Sequence, residues 1–229
     1  AVLGVVLTGA GFMMAGEHGL ARFYQAYLVA YTFWAGVALG SLALLMVQHL
    51  TGGAWGIVLR RPFEAAVRTI PFMAVLFLPI VFGMQTLYPW ANADLVAHDG
   101  ALQHKAIYLN TPFFLARAVF YFACWIGLAT VFSRWSLAQD GGDRKALRRM
   151  ERLSGAGLVI YGLTITFASV DWVMSLDPHW FSTIFGVCYV AGGLMALMAL
   201  LALLCMFLGK QGYLKEAVTT EHYHDMGKL

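Results

Sequence analysis

The chain has 229 residues, of which 60% are hydrophobic and only 12% are charged, and its formal net charge is +3. A soluble domain carries about 25% charged residues, so this composition excludes a water-soluble globule and also a disordered chain. We therefore expect an integral membrane protein, in which the positions of the charges are more informative than their sum.

Six apolar runs predict an all-α, polytopic transmembrane helix bundle that forms a single membrane domain over 1–229. In lipid only helices and closed barrels satisfy the backbone, and long uninterrupted apolar runs exclude the alternation of a barrel strand. The first run is too short to cross a bilayer alone, so we expect a chain that is truncated at both ends. The predicted spans are about 1–15, 23–48, 69–91, 112–133, 153–175 and 181–208.

Two spans contain features that favour particular packing. Gly36 and Gly40 are four residues apart and give the second span a flat face for a close helix contact. Pro71 and Pro79 are expected to kink the third span and to free backbone carbonyls near its middle.

Twelve of the 15 Lys and Arg residues fall in alternate connections and define one side of the membrane. The positive-inside rule places these connections, the loops 49–68 and 134–152 and the C-terminal tail, in the cytoplasm. Within the second loop, Asp143 is expected to cap a short basic helix over 144–152 that either touches anionic headgroups or anchors the loop. The twelve are Arg60, Arg61, Arg68, Arg134, Arg144, Lys145, Arg148, Arg149, Arg152, Lys210, Lys215 and Lys228.

Two charges are predicted to lie within the bilayer, where a charge is costly and therefore marks a candidate site. Arg117 and Asp171 each lie roughly 8 Å from the outer ends of the fourth and fifth spans, at 1.5 Å per residue. The two spans are consecutive and antiparallel, so an ion pair is sterically reasonable. It serves either as a structural staple between helices or as a protonatable site.

The fifth span carries polar side chains along one face. The spacing of seven, three, seven and four residues places them within about a quarter of the helix circumference. Such a stripe either orders water and passes protons or bonds its own backbone and a neighbouring helix. Its members are Ser154, Tyr161, Thr164, Asp171 and Ser175.

Four further residues are weaker candidates. His49 lies near the predicted cytoplasmic boundary, where a proton path could begin, and His179 follows a sharp turn on the side of Asp171. Gln85 and Tyr31, together with Asp171, are candidate quinone contacts in the outer half of the bundle. A turn or a solvated position explains the histidines equally well.

The sequence indicates no metal or covalently attached cofactor. No histidine lies in the middle of a predicted span, as a buried haem would require, and the three cysteines lack the spacing of a metal site. Nucleotide-binding fingerprints are also absent from the sequence, and nothing favours a nucleic-acid partner.

Several motifs resemble the smaller NrfD-like membrane subunits of bacterial alternative complex III, a family often called ActF. That complex is a quinol:electron-acceptor oxidoreductase that replaces the cytochrome bc1 complex. The resemblance covers nearly the whole chain, and its longest motif includes Asp171 and His179. The motifs are YPW at 88–90, HKAIYLN at 104–110, PFF at 112–114, RWS at 134–136, LSG at 153–155, DWVMSLDPHWFSTIFG at 171–186 and HDMGKL at 224–229.

The resemblance implies a subunit of about ten spans, each roughly 20 residues long, in the bacterial inner membrane. It implies partners as well: a larger NrfD-like subunit, a multihaem cytochrome c subunit and iron–sulfur subunits. The expected function is a membrane subunit of a respiratory or photosynthetic electron-transport complex, with a proton-conducting path, a contact to menaquinone or ubiquinone, or both. The alternatives are a purely structural anchor for the extrinsic subunits and a secondary transporter.

Overall fold

The computed structural model describes residues 9–11, 19–52, 55–212 and 220–228, and the regular structure of these residues is entirely helical. Within these ranges, five segments are long and apolar enough to cross a membrane, in agreement with the predicted all-α, multi-pass class. The predicted first span, 1–15, lies outside the described residues apart from 9–11. The five segments are Gly19–Thr51, Leu59–Phe82, Thr111–Asp140, Arg144–Leu176 and Phe185–Lys210.

Eleven helices are assigned in chain order within the part of the chain that is described from residue 19 onward. Two short 3-10 turns, Pro89–Ala91 and Met174–Leu176, accompany them. The helices are α1 (Gly19–Thr51), α2 (Trp55–Val67), α3 (Ile70–Leu76), α4 (Leu78–Phe82), α5 (Met84–Leu87), α6 (Ala93–His98), α7 (Gly100–Lys105), α8 (Thr111–Asp140), α9 (Arg144–Trp172), α10 (Phe185–Lys210) and α11 (Thr220–Lys228).

The two predicted cytoplasmic loops are largely helical, which corrects their assignment. The segment 49–68 contains α2, and the spanning segment that follows runs over Leu59–Phe82 rather than 69–91. The segment 134–152 contains only a three-residue connection, Gly141–Asp143, between α8 and α9. Asp143 does cap a helix, since its carboxylate accepts from the Lys145 N–H at 2.9 Å, but that helix continues into the membrane as α9. We call the end of the bundle that contains α2 and the connection Gly141–Asp143 the basic end. The opposite end, formed by 88–110 and 173–184, is the loop end.

The prolines interrupt the third span, as predicted, and α1 satisfies the carbonyls that the breaks expose. Pro71 and Pro79 each lie in the first turn of a short helix, α3 and α4. The Tyr27 hydroxyl donates to the Leu76 carbonyl at 2.7 Å, and the Tyr31 hydroxyl donates to the Met73 carbonyl at 3.2 Å. These bonds replace helical hydrogen bonds that the two carbonyls lack, at a depth in the membrane where an unpaired carbonyl is costly.

Helix α1 lies at the centre of the bundle, between α2, α9 and α10. The flat face predicted from Gly36 and Gly40 packs on Gly193 of α10. A Cβ built on Gly193 would lie 2.9 Å from the Gly36 carbonyl oxygen, so the two backbones meet without room for a side chain. The close approach provides the dense packing that drives helix association in lipid.

Replacing Gly193 with valine is expected to lower the free energy of unfolding by about 1–3 kcal/mol, because overpacking forces the two helices apart. Gly192→Val is the matched control, since a Cβ on Gly192 meets nothing within 4 Å. Unfolding in mixed detergent micelles measures both variants. Equal losses in the two would contradict the role of the α1–α10 contact, because Gly192 faces no neighbour that valine could displace.

Candidate functional site

Arg117 and Asp171 form the predicted ion pair between α8 and α9. The bond is bidentate: Arg117 Nε donates to Asp171 Oδ2 at 2.8 Å, and Nη2 donates to Oδ1 at 3.0 Å. Asp171 is 0% exposed and Arg117 is 9% exposed. Two parallel charge-assisted bonds are the strongest geometry that this pair can adopt, and burial reduces their screening by solvent.

Three aromatic residues complete the surroundings of the pair. The Tyr121 hydroxyl donates to Asp171 Oδ2 at 2.8 Å, which gives the carboxylate a third donor. The Arg117 guanidinium lies 3.9 Å from the ring centre of Tyr108 and 4.3 Å from that of Phe113. Its remaining nitrogen donates to the Tyr108 carbonyl at 3.0 Å. Ring faces and a carbonyl therefore stabilise the guanidinium on the side away from the carboxylate.

Local sequence explains how these groups come to face one another. Asn110 caps α8 by accepting from the Phe113 N–H at 2.9 Å, and Pro112 occupies the first turn. Arg117 and Tyr121 are four residues apart in α8 and therefore share a face. Asp171 lies in the last turn of α9 and meets that face from the antiparallel helix.

The loop end covers the pair with a second set of buried aromatic side chains. Tyr88 donates through its hydroxyl to the Trp172 carbonyl at 2.9 Å, and Trp90 donates through Nε1 to Ser175 Oγ at 3.1 Å. Ser175 Oγ in turn donates to the Asp171 carbonyl at 2.5 Å. These bonds fix the segment 88–91 against the end of α9 and close the core above Asp171.

A cavity of about 290 Å³ lies at the loop end, separated from the pair by residues that contact it. Tyr108, which stacks on Arg117, and Ser175, which bonds the Asp171 backbone, both line it. Burial and the nearby Asp171 carboxylate raise the pKa of Tyr108 to about 12, so this phenol stays neutral at ordinary pH. The other lining residues are Lys105, Leu109, Val170, Met174, Asp177, Pro178, Trp180 and Phe181.

The hydroxyls predicted as a stripe bond mainly to their own helix. Ser154 Oγ donates to the Met150 carbonyl at 2.7 Å, and Thr164 Oγ1 donates to the Ile160 carbonyl at 2.7 Å. Thr164 also accepts from Trp125 Nε1 at 2.9 Å, and Tyr161 is buried on the same face. These contacts match the packing interpretation of the stripe more closely than a continuous chain of hydroxyls.

The remaining candidates lie in different surroundings. His179 is at the loop end, where its ring Nε2 lies 2.8 Å from Asp99 Oδ2. The backbone N–H of His179 donates to Asp177 Oδ1. His49 is buried near the basic end and stacks on Phe132 with ring centres 5.6 Å apart. Gln85 is exposed on α5, whereas Tyr31 is buried. The described contacts join neither Gln85 nor Tyr31 to Asp171.

A second charged cluster, which the sequence did not indicate as a unit, joins α2 to α8 at the basic end. Glu64 accepts from Arg60 Nε and from Arg61 Nη1, each at 2.8 Å, and from Ser136 Oγ at 2.6 Å. Arg61 also bonds Asp140 at 2.7 Å. The spacing of Arg60 and Arg61 to Glu64, at four and three residues, was the available signal for the part of the cluster within α2.

Fold and site together define a multi-pass helical membrane protein with a buried arginine–aspartate pair next to a cavity at one end of the bundle. No protein-family model matches the chain, and no curated protein matches it. Among the described residues, no group of three or more His, Cys, Asp and Glu side chains could hold a metal ion.

Proposed function

We propose that this chain is an integral membrane subunit of a bacterial quinol:electron-acceptor oxidoreductase, and that Arg117 and Asp171 form a protonatable site within it. The motif resemblance to the smaller NrfD-like subunits of alternative complex III supports the assignment to such a complex. The five apolar helices are consistent with it. The observation that carries the site is a fully buried carboxylate, bound by arginine and tyrosine, beside a cavity at the loop end.

In this proposal the proton exchanges at the Asp171 carboxylate. A proton that arrives from water in the cavity bonds to one carboxylate oxygen and displaces a guanidinium N–H from it. Arg117 keeps its bond to the Tyr108 carbonyl and its contacts with two ring faces, so the displaced guanidinium remains held in the core. Loss of the proton restores the bidentate pair, and the site thereby alternates between two charge states.

The orientation and partners of the chain belong to the same proposal. The basic end faces the cytoplasm by the positive-inside rule, and the loop end faces the opposite side of the inner membrane. A larger NrfD-like subunit, a multihaem cytochrome c subunit and iron–sulfur subunits would carry the electron transfer. The described contacts do not join Gln85, Tyr31 and Asp171 to one another, and the proposed proton exchange includes no quinone step on this chain.

A structural anchor is the second candidate function. The hydroxyls of Ser154 and Thr164 bond carbonyls of their own helix, and the ion pair has its donors and acceptors satisfied within the protein. In that case Arg117 and Asp171 hold α8 and α9 in register for the extrinsic subunits and do not titrate during turnover.

Asp171→Asn in the intact complex distinguishes the two candidates. The relay predicts that turnover per assembled complex falls at least about a hundredfold, the lower end of what one proton-transfer group contributes, while assembly persists. Asp94→Asn is the matched control because Asp94 is an exposed carboxylate at the same end. Normal turnover in normally assembled complexes would contradict the relay. Poor assembly with normal turnover per complex would support the anchor.

A further inference from the structure

A second cavity, remote from the ion pair, lies between α3 and α8 toward the basic end. Its volume is about 240 Å³. Two arginines and two hydroxyl residues line it together with small and apolar side chains. The cavity therefore combines cationic hydrogen-bond donors with an apolar surface. The principal lining residues are Arg68, Arg134, Thr130, Ser133, Pro71 and Leu137.

The two arginines of this cavity are available to an external anion. The nearby carboxylates are engaged elsewhere, because Glu64 pairs with Arg60 and Arg61, and Asp140 pairs with Arg61. Within the described part of the chain, no carboxylate lies within 4.0 Å of the Arg68 or Arg134 guanidinium.

The helix break at Pro71 places Arg68 at this position. Helix α2 ends at Val67 and α3 begins at Ile70, so Arg68 lies in the turn between them. Arg60 contacts Gln139 at 2.7 Å, which marks a common level at the basic end. Measured away from the basic end at 1.5 Å per residue, Arg68 lies roughly 12 Å from Arg60, and Arg134 lies roughly 8 Å from Gln139. Both guanidinium groups therefore approach one cavity at a similar depth.

We propose that this cavity binds the phosphate group of an anionic phospholipid. Guanidinium groups match phosphate oxygens bidentately, and the Thr130 and Ser133 hydroxyls are additional donors. Phe72 follows Pro71 and lies farther from the basic end than either arginine, and its side chain is exposed, so acyl chains would lie against it. Two arginines without a carboxylate favour a headgroup with net negative charge, because the amine of a zwitterionic lipid would be repelled.

The test is lipid binding to the full chain, purified in mild detergent and titrated with phosphatidylglycerol or phosphatidylcholine, with retained lipid counted by native mass spectrometry. The double variant Arg68→Gln/Arg134→Gln is expected to weaken phosphatidylglycerol binding about thirtyfold, because each arginine contributes roughly a factor of five. Arg68→Lys/Arg134→Lys is expected to retain part of the binding, because the charge stays while the bidentate geometry is lost.

Arg144→Gln/Arg148→Gln is the matched control, since it removes two exposed charges from the same end. It is expected to change the affinity by no more than about twofold, because Arg144 and Arg148 do not line the cavity and act on a lipid there only through screened long-range attraction. Equal weakening by both double variants would overturn the proposal in favour of a general surface charge effect. Equal binding of the two lipids, or displacement by inorganic phosphate at the same concentration, would also overturn it.

Discussion

Replacing Arg117 with leucine is expected to lower the free energy of unfolding by about 3–5 kcal/mol, because the substitution leaves a buried carboxylate without its counter-ion. Asp171 is 0% exposed and, among the side chains that the structure describes, would keep only the Tyr121 hydroxyl as a donor. Cation–π contacts with Tyr108 and Phe113 are lost in the same change. Reversible unfolding in mixed detergent micelles measures the effect.

The double variant Arg117→Leu/Asp171→Leu is the control for this prediction. It removes both charges, so it is expected to recover most of the loss, since apolar replacement of a buried pair is often close to neutral. A single Arg117→Leu variant as stable as the parent protein would contradict this prediction, because it would mean that Asp171 does not need its counter-ion in the fold.

Replacing Glu64 with leucine is expected to lower the free energy of unfolding by about 2–3 kcal/mol, because it removes an acceptor of charged hydrogen bonds. Glu64 is 4% exposed and joins Arg60 and Arg61 of its own helix to Ser136 of α8. The loss is smaller than for Arg117→Leu because the Arg60 and Arg61 side chains are 21% and 56% exposed, and water partly solvates them.

Asp140→Asn is the matched control for Glu64→Leu. Asp140 also pairs with Arg61, but its side chain is 43% exposed, so its removal is expected to cost less than about 1 kcal/mol. Equal losses from the two substitutions would show that the cluster acts as a surface charge network and that the burial of Glu64 is unimportant.

The sequence predicted the fourth, fifth and sixth spans best, from long apolar runs that carry at most one charge each. The positions of α8, α9 and α10 follow directly from such runs, and the breaks at Pro71 and Pro79 follow from the missing amide hydrogens. The apolar helical segment of the third span begins at Leu59, about ten residues before the predicted start at 69. The charges of Arg60, Arg61 and Glu64 suggested a solvated loop, whereas these residues pair with one another on a helix. Glu64 also bonds Ser136 of α8, a contact that only the tertiary structure brings about.

The ion pair could be predicted because its two residues lie at matching depths on consecutive antiparallel helices. Tyr121 could have been added from its spacing to Arg117, but Tyr108 could not, because it belongs to a connection whose path depends on the whole loop end. Tyr31 was predicted as a candidate quinone contact, and the structure adds that its hydroxyl donates to the Met73 carbonyl. Which carbonyls a proline exposes, and which side chain reaches them, depends on the rotation of α1 against α3.

The most direct test of the protonatable site is an infrared difference spectrum of the intact complex, recorded between its quinol-reduced and oxidised states. If Asp171 changes its charge state, the parent protein and Asp94→Asn are both expected to show a change in the carboxylic acid stretching region. That change is expected to disappear in Asp171→Asn. A spectrum in which the parent protein and Asp171→Asn show the same carboxylic acid signals would contradict the account, because Asp171 would then keep one charge state throughout turnover.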